Sequence, residues 1–256
     1  MRAYTHARIG EANVLLFHDL TEWYPLVTRP EDYRRECASY VSLITEAHPN
    51  ARTLLDLGSG GGHCALHLSA VFDCTMIDIS KPMIDISSRL NPGCRHQIAD
   101  MREVRLDQRF DVVFLHDAVH HMRCIDDLKR AIRTAFVHLH PGAIALLVPN
   151  YTTETFSPYR KTGGHADSQG RSLRYAEQAF PREADCATSH KIVFTYWLSE
   201  NGKPTRTVHD MDEYGLFSKS EWMFALSQSG FEVTLPSLNA SIHRDQVAFL
   251  CRRPSE

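Results

Sequence analysis

A glycine-rich turn between a short apolar strand and a helix constrains this chain more than any other feature. Residues 53–57 predict a buried strand, residues 58–62 read Gly-Ser-Gly-Gly-Gly, and residues 63–71 predict a helix. Glycines allow the backbone to turn sharply and to approach a ligand closely. Open α/β sheets bind ligands at the carboxyl ends of their strands, where this turn lies. The turn therefore predicts an α/β sheet with a ligand site at its edge.

Strands and helices continue to alternate as far as residue 148. Strands are predicted at residues 74–78, 95–99, 110–115 and 143–148, and helices at residues 31–48, 81–90 and 125–139. The last of these helices is amphipathic, because apolar side chains recur on one side: Ile125, Leu128, Ile132, Phe136 and Leu139. Such alternation implies parallel strands with right-handed crossovers. The predicted fold class is α/β with a doubly wound sheet.

A different pattern follows residue 150. Residues 151–190 are polar, whereas residues 191–198 and 206–214 flank Asn201-Gly202, a dipeptide typical of β-hairpins. Residues 151–215 therefore predict a β-rich insertion in the α/β sheet.

The last part of the chain returns to the alternating pattern. Ser218 and Glu221 form a capping box and Gly230 suits a helix end, which predicts a helix over residues 218–230. Strands are predicted at residues 231–235 and 246–251. We expect these elements to complete the sheet.

Carboxylates mark the carboxyl ends of three predicted strands. Asp56 precedes the glycines, where it can order the turn and meet a cationic amino group. Asp78 ends the second strand, where a carboxylate can accept hydrogen bonds from ribose hydroxyls. Asp100 follows the third strand and is suitably placed for an adenine amino group. The set predicts a site for an adenosine-containing ligand.

The glycine turn argues against other nucleotide sites. A phosphate-binding P-loop ends in Gly-Lys-Ser/Thr, which is absent here. The dinucleotide pattern G-x-G-x-x-G, started at Gly58, meets His63 at its last position. When the pattern starts at Gly60, its last position is Ala65, which is a tolerated match. The glycines would then lie too far from the end of the strand. A nicotinamide-dependent oxidoreductase therefore remains an alternative, although the pattern disfavours it.

Composition bounds the partners and the compartment. The chain has 256 residues and a net charge of −3 without a clustered basic run, which argues against a nucleic-acid partner. Its seven cysteines are odd in number and scattered, as expected for reduced thiols in the cytoplasm. The sequence shows neither a signal-peptide core nor an apolar run of about 20 residues. We expect a cytoplasmic protein without a membrane anchor.

Five motifs in order resemble those of class I S-adenosylmethionine-dependent methyltransferases. Residues 56–62 resemble the first motif, and the others follow at residues 74–80, 98–101, 111–122 and 139–142. The resemblance covers residues 52–150. It implies S-adenosylmethionine as cofactor, S-adenosylhomocysteine as product, and a Rossmann-like seven-stranded sheet whose last strand is antiparallel.

The resemblance also implies roles for individual residues. Gly58 and Gly60 would line the methionine part of the cofactor, and Asp78 would hold the ribose. The remaining positions would contact adenine or lie near the sulfonium: Ile79 and Met83 on the adenine face, Asp100 and Met101 at its edge, and Leu115 and His116 at the sulfur.

The segments outside this core resemble sugar N-methyltransferases that act on nucleotide-linked aminosugars. Residues 22–27 and 31–36 are similar to their N-terminal lid, which implies that Tyr24 and Tyr33 cover the cofactor. Residues 213–217 are similar to the tail of that group. A second likeness, through residues 116–119 and 163–165, is to small-molecule methyltransferases of unsettled substrate.

These resemblances divide the chain into four parts. Residues 1–50 form a helical lid and residues 51–150 the cofactor-binding core. Residues 151–215 form an insertion that covers the substrate, and residues 216–256 complete the core sheet. A homodimer is possible, and the sequence does not decide it.

The pair His120-His121 lies at the mouth of the expected cleft. A neutral histidine there can accept a proton from an attacking amine or hydroxyl, or orient the substrate. His116 and His120 lack a third ligand at useful spacing, so no metal is expected. The motif of amino-methylating enzymes on nucleic acids and proteins, Asn or Asp followed by Pro-Pro-Tyr or Phe, is absent.

The predicted reaction is methyl transfer from S-adenosylmethionine to nitrogen or oxygen of a small molecule. An aminosugar or a related secondary metabolite is the preferred acceptor, with nitrogen preferred over oxygen. A non-catalytic S-adenosylmethionine-binding protein stays open, because methyl transfer requires no single obligatory catalytic residue.

Overall fold

The computed structural model describes residues 14–183, 188–201, 203–238 and 246–255. Its α-helices are α1 (Arg34–Ala47), α2 (Ala65–Leu68), α3 (Lys81–Leu90), α4 (Ile125–Val137) and α5 (Lys219–Gln228). The strands of the main sheet are β1 (Thr53–Leu57), β2 (Asp73–Asp78), β3 (Arg95–Ile98), β4 (Phe110–His116), β5 (Leu139–Val148), β10 (Glu232–Thr234) and β11 (Phe249–Arg252). Those of a second sheet are β6 (Tyr159–Gly163), β7 (Ser172–Ala179), β8 (Ser189–Ser199) and β9 (Arg206–Gly215).

The main sheet has seven strands in the order β10-β11-β5-β4-β1-β2-β3. Strands β1 to β5 pair in parallel, and β11 runs antiparallel to both of its neighbours, β5 and β10. This topology confirms the predicted Rossmann-like sheet with an antiparallel last strand. The strand order reverses between β1 and β4, so the crevice for a ligand lies at their carboxyl ends.

Helices cover both faces of this sheet, as a doubly wound fold requires. Alternate residues of β1 point to opposite faces: Leu54 packs with α1 and α2, whereas Leu55 and Leu57 pack with α4 and α5. Both faces are apolar, which explains why the strands read as short continuous apolar runs.

The predicted boundary between the fourth helix and the fifth strand differs from the structure. Helix α4 ends at Val137 and β5 begins at Leu139, whereas the sequence predicted a helix to residue 139 and a strand from 143. Leu139 pairs with Phe110 ahead of an irregularity in the β4–β5 ladder. His138 stabilises the junction, because its ring contacts the Thr134 carbonyl and accepts the Leu106 amide.

The insertion forms a four-stranded antiparallel sheet in the order β6-β7-β8-β9. Strands β8 and β9 form the predicted hairpin, and Gly202 of its predicted turn lies outside the described residues. Strands β6 and β7 fall in the stretch that reads as polar. Lys161 and Glu177 pair with each other on these strands. Because charged residues stand where apolar ones would alternate, the sequence pattern does not predict the two strands.

Residues 14–33 connect the two sheets. They form short 3₁₀ turns, and their apolar side chains pack against the inner face of the four-stranded sheet. The Leu15 amide donates to Asp210 Oδ2 at 2.8 Å, and Ser80 Oγ donates to the Phe17 carbonyl at 2.6 Å. Within the described residues, no helix is long and apolar enough to cross a bilayer.

Candidate active site

A cavity of about 670 Å³ lies at the carboxyl ends of β1, β2 and β4. The inner face of the four-stranded sheet and residues 14–33 cover it. A second, more open pocket of about 410 Å³ adjoins it, between α1 and the edge strand β6. We call the second space the outer pocket. Seven residues line both spaces and form their boundary: Thr28, Asp32, Tyr33, Asp117, Asn150, Tyr159 and Lys161.

The glycine turn forms one wall of the cavity. Gly58 has φ +84°, and a Cβ there would overlap Ala118 Cβ and the Met101 methyl group. Gly60 has φ +52° and only Tyr24 Oη, 3.8 Å away, near the position of a Cβ. Both residues thus adopt a conformation that favours glycine, and the turn leaves room for a ligand above Gly60.

Asp78 joins the turn to the end of β2. Its carboxylate accepts the Gly60 and Ser80 amides, each at 2.8 Å. Burial raises the pKa of Asp78, while these two amide donors act in the opposite direction. The carboxylate lines the cavity at the position predicted for ribose recognition.

Asp56 is buried at the base of the same wall. It is 3% exposed, and burial raises its pKa to about 7, with the nearby Asp78 adding to the shift and His116 opposing it. A carboxyl with such a pKa gains stability in its charged form when a cation binds beside it. Asp56 therefore suits the predicted contact with a cationic amino group.

Asp100 and Met101 line the far end of the cavity. Arg102 binds the Asp100 carboxylate with Nε and Nη2 and reaches Asp127 with Nη1. Burial favours a higher pKa for Asp100, but Arg102 outweighs it and holds the pKa below its ordinary value. The carboxylate is therefore charged and fixed in place at this end.

The apolar residues predicted to contact the cofactor, Ile79 and Met83 on adenine and Leu115 at the sulfonium, divide into two groups. Ile79 and Met83 line the cavity, and Ile79 is 54% exposed although it is a large apolar side chain. Leu115 is fully buried in the core against α4 and does not line the cavity. It points to the face of β4 opposite His116, because adjacent strand residues alternate.

Tyr24 and Tyr33 both line the cavity from residues 14–33. They pack on His63, with Tyr24 stacked on it at a centroid distance of 4.9 Å and Tyr33 edge-on at 5.6 Å. Burial lowers the pKa of His63 to about 4, so the ring is neutral. His63 was not among the predicted site residues, because its aromatic neighbours come from a distant segment of the chain.

His116 lies at the end of β4 within a charged group. Its Nε2 is 3.1 Å from Glu36 Oε1 and 3.3 Å from Asp117 Oδ1. Burial acts to lower the pKa of His116, but these carboxylates outweigh it and raise the pKa to about 9. The ring is therefore cationic at neutral pH and links α1 to the cavity.

The predicted catalytic pair, His120 and His121, also lines the cavity. His121 Nδ1 is 3.3 Å from Asp212 Oδ2, and His120 stacks on Tyr214 at a centroid distance of 3.8 Å. Burial, and next the neighbouring His121, hold the pKa of His120 well below its ordinary value. His120 is thus a neutral imidazole, with one donor and one acceptor nitrogen.

The four-stranded sheet contributes polar groups that the sequence pattern did not reveal. Glu177 is 7% exposed, accepts the Tyr159 hydroxyl at 2.5 Å, and pairs with Lys161 Nζ at 2.8 Å. Asp212 and Tyr214 face the same space from β9. Among the described residues, no group of three side chains could hold a metal ion, so none supports a metal centre.

Comparison with known proteins assigns the family. Residues 30–235 match the family model described as a methyltransferase domain. The chain belongs to this family. Its membership confirms the prediction of an S-adenosylmethionine-dependent methyltransferase and disfavours the oxidoreductase.

Relatives of known activity cover most of the chain. The dTDP-3-amino-3,4,6-trideoxy-alpha-D-glucopyranose N,N-dimethyltransferase of Streptomyces venezuelae is 27% identical over 207 residues, which is 80% of this chain and 86% of that protein. The dTDP-3-amino-3,6-dideoxy-alpha-D-glucopyranose N,N-dimethyltransferase of Streptomyces fradiae is 26% identical over 223 residues, 84% of each chain.

The fold is shared with a solved structure. The crystal structure of Streptomyces venezuelae DesVI superposes with a TM-score of 0.78 at 22% identity, over 97% of this chain and all of that chain. This likeness shows a common fold.

Proposed function

We propose that this methyltransferase transfers a methyl group to the amino nitrogen of a nucleotide-linked aminosugar. The observation that carries the proposal is a pair of buried polar side chains, His120 and Asn150, that line the cavity. The two side chains interact with each other, and both ring nitrogens of His120 and Asn150 Oδ1 have no other hydrogen-bond partner in the described structure. Buried polar atoms normally have partners, so such a group suits a polar ligand.

The chemistry of this group favours nitrogen over oxygen as the acceptor atom. Asn150 Oδ1 and one nitrogen of neutral His120 accept hydrogen bonds. A primary amine has two N–H donors and one lone pair, so two such acceptors can bind both hydrogens and leave the lone pair free. A hydroxyl offers only one hydrogen. The likeness to N,N-dimethyltransferases of aminosugars supports the same preference.

The cofactor side of the cavity fits S-adenosylmethionine. Bound there, this cofactor supplies an electrophilic methyl group on a sulfonium. We infer that Asp56 binds its amino group, that Asp78 binds its ribose, and that Ile79 packs on its adenine. The room above Gly60 and the exposure of Ile79 toward the cavity support these roles.

We also propose that residues 1–50 and 151–215 act as the lid and the acceptor cover. Within these segments, residues 1–13, 184–187 and 202 lie outside the described structure. Support comes from Tyr24, which contacts the glycine turn, and from the inner face of the four-stranded sheet, which lines the cavity. Both segments exclude water from the reacting atoms, which favours positioning of the amine.

Calorimetric titration with S-adenosylmethionine, and with NADH in a parallel cell, tests the cofactor. Methyl transfer is then measured with the two dTDP-aminosugars named in the two Streptomyces relatives and with dTDP-glucose as the hydroxyl counterpart. We expect S-adenosylmethionine binding and methylated amine product. Cofactor binding without turnover on any amine would reject the proposal and support a binding protein.

His120→Ala tests the residue that carries the proposal. We expect kcat/KM for the amine to fall by about 10²-fold while cofactor affinity changes little, because His120 lies on the acceptor side. The matched control is His140→Ala, an exposed histidine at the start of β5. Equal activity of the two variants would contradict the assignment of the acceptor site.

A further inference from the structure

Asp117 has an unusual backbone conformation for a residue other than glycine. Its φ is +52° and its ψ is −60°. This combination lies close to the γ-turn geometry that is rare and strained. Strain of this kind costs on the order of 1–3 kcal/mol and is concentrated at functional sites. Its place directly after β4, at the crevice between β1 and β4, puts the strain where a ligand binds.

The Asp117 carboxylate lies where the main cavity meets the outer pocket. Asp117 lines both the main cavity and the outer pocket, and its side chain is 39% exposed. Asn150, which interacts with His120, also lines both spaces. An acceptor that reaches the cofactor through the outer pocket therefore passes the residues common to the two spaces, and Asp117 is one of them.

Charged groups from several elements face this carboxylate. His116 Nε2 lies 3.3 Å from Asp117 Oδ1, and Lys161 acts on it from the edge strand β6. The titratable groups that interact with it electrostatically come from β4, α1, β6, the lid and the turns around the site: His116, Glu36, Tyr40, Lys161, His121, Tyr24, Tyr33 and Cys64. Partial burial raises the pKa of Asp117, while His116 opposes the shift and Glu36 adds to it.

We propose that Asp117 is the carboxylate that binds the acceptor ammonium group and takes its proton. The inference rests on the proposed amine methylation. An aliphatic amine near neutral pH is largely protonated, and its lone pair is then bound to hydrogen. A carboxylate beside the path of the acceptor attracts this cation. By removing a proton from the ammonium, it acts as a general base and frees the nitrogen lone pair for attack.

The proton balance is closed at each step. The N–H bond of the ammonium breaks and an O–H bond forms on Asp117, which leaves a neutral amine. The nitrogen lone pair forms the new N–C bond while the electrons of the S–C bond return to sulfur. Asp117 loses its proton to water through the outer pocket, and it can then deprotonate the methylated ammonium for a second transfer.

Asp117→Asn is the decisive variant, because asparagine tolerates positive φ and keeps the shape of the side chain. With dTDP-3-amino-3,6-dideoxy-glucose as acceptor, we expect kcat/KM at pH 7 to fall by about 10²-fold. With S-adenosylmethionine saturating at every pH, the wild-type kcat/KM for the acceptor should vary little from pH 7 to 8. That of the variant should rise about tenfold per pH unit toward the pKa of the amine, because only free amine then reacts.

Two further variants separate this role from a structural one. Asp117→Gly removes the carboxylate and relieves the strain, so its Tm should not fall although its activity does. Asp85→Asn is the matched control, since Asp85 is an exposed residue of α3 paired with Lys81. S-adenosylmethionine titration of each variant shows whether the cofactor site is intact.

The outcomes are distinguishable. A wild-type chain that methylates none of the amines rejects the proposed function, and this inference with it. An active wild-type chain whose Asp117→Asn variant keeps its rate rejects the inference alone. A loss in that variant that is equal at every pH also rejects it, because a structural defect does not change the slope of the pH profile.

Discussion

At the scale of single residues, the burial of Asp56 links cofactor binding to pH. Burial raises its pKa to about 7 in the free protein, and a bound cation lowers it again. Cofactor binding therefore requires loss of a proton below that pH. We expect the affinity for S-adenosylmethionine to fall as pH decreases from 7 to 5.5, approaching tenfold per unit.

Calorimetry across this pH range measures the effect, with proton release followed in buffers of different ionisation enthalpy. Asp56→Asn should bind the cofactor weakly at every pH and should lose the slope. The control is Asp85→Asn, which leaves the buried carboxyl intact. A pH-independent affinity in the wild-type chain would contradict the role of Asp56.

Gly58 should be intolerant of any side chain. At φ +84°, a Cβ would overlap Ala118, so Gly58→Ala is expected to destabilise the fold by about 1–3 kcal/mol. Gly93→Ala is the matched control, because no atom lies within 4 Å of its added Cβ. Urea unfolding of both variants measures the difference. Equal stability of the two would show that the turn relaxes without cost.

At the residue level, the sequence predicts which side chains lie near the cavity where position along a strand determines where a side chain lies. Asp56, Asp78 and Asp100 each lie at a strand end, and all three line the cavity. Leu115 does not line it, because a shift of one residue along β4 changes the face of the sheet. Glu177 and Asp212 reach the cavity from strands distant in sequence, so no local motif marks them.

At the scale of elements, one partly buried side chain holds the start of the described lid. Asp210 on β9 accepts the Leu15 amide at 2.8 Å. Without that acceptor the Leu15 amide has lost its hydrogen-bond partner, which destabilises the folded position of residues 14–33 by about 1–3 kcal/mol. We expect Asp210→Ala to increase amide hydrogen exchange in these residues and to weaken cofactor binding.

Hydrogen exchange followed by mass spectrometry locates the change. Exchange in β1, β4 and α4 should stay as in the wild type, because these elements pack in a separate core. Asp107→Ala, in an exposed loop, serves as the control. Increased exchange spread evenly over the whole chain would indicate general destabilisation and would argue against a local tether.

Strands whose two faces are both buried can be predicted from the sequence. The parallel strands of the main sheet are apolar on both faces, so they stand out from their polar connections. Strands β6 and β7 have one face on a polar cavity and the other toward solvent, and the Lys161–Glu177 pair replaces an apolar contact. Their pairing depends on β8, which no local pattern encodes.

At the scale of the whole molecule, the cavity lies between the two sheets and the lid. Its lining combines strand ends of the main sheet, the inner face of the four-stranded sheet, and residues 14–33. The core of the lid and the four-stranded sheet is distinct from the two cores of the main sheet. A ligand in the cavity contacts all of these parts, so its binding should stabilise them together.

The expected size follows from linkage between binding and unfolding. S-adenosylmethionine at 100 times its Kd stabilises the native state by about 2.7 kcal/mol. For a chain of this size we expect Tm to rise by roughly 5–10 °C. A thermal scan with the cofactor, and with NADH as the control, measures this shift. Hydrogen exchange should slow in residues 14–33 and in β6 to β9 as well as at the glycine turn. Protection confined to the turn would show that the lid and the four-stranded sheet do not close on the cofactor, and that their role begins only when the acceptor binds.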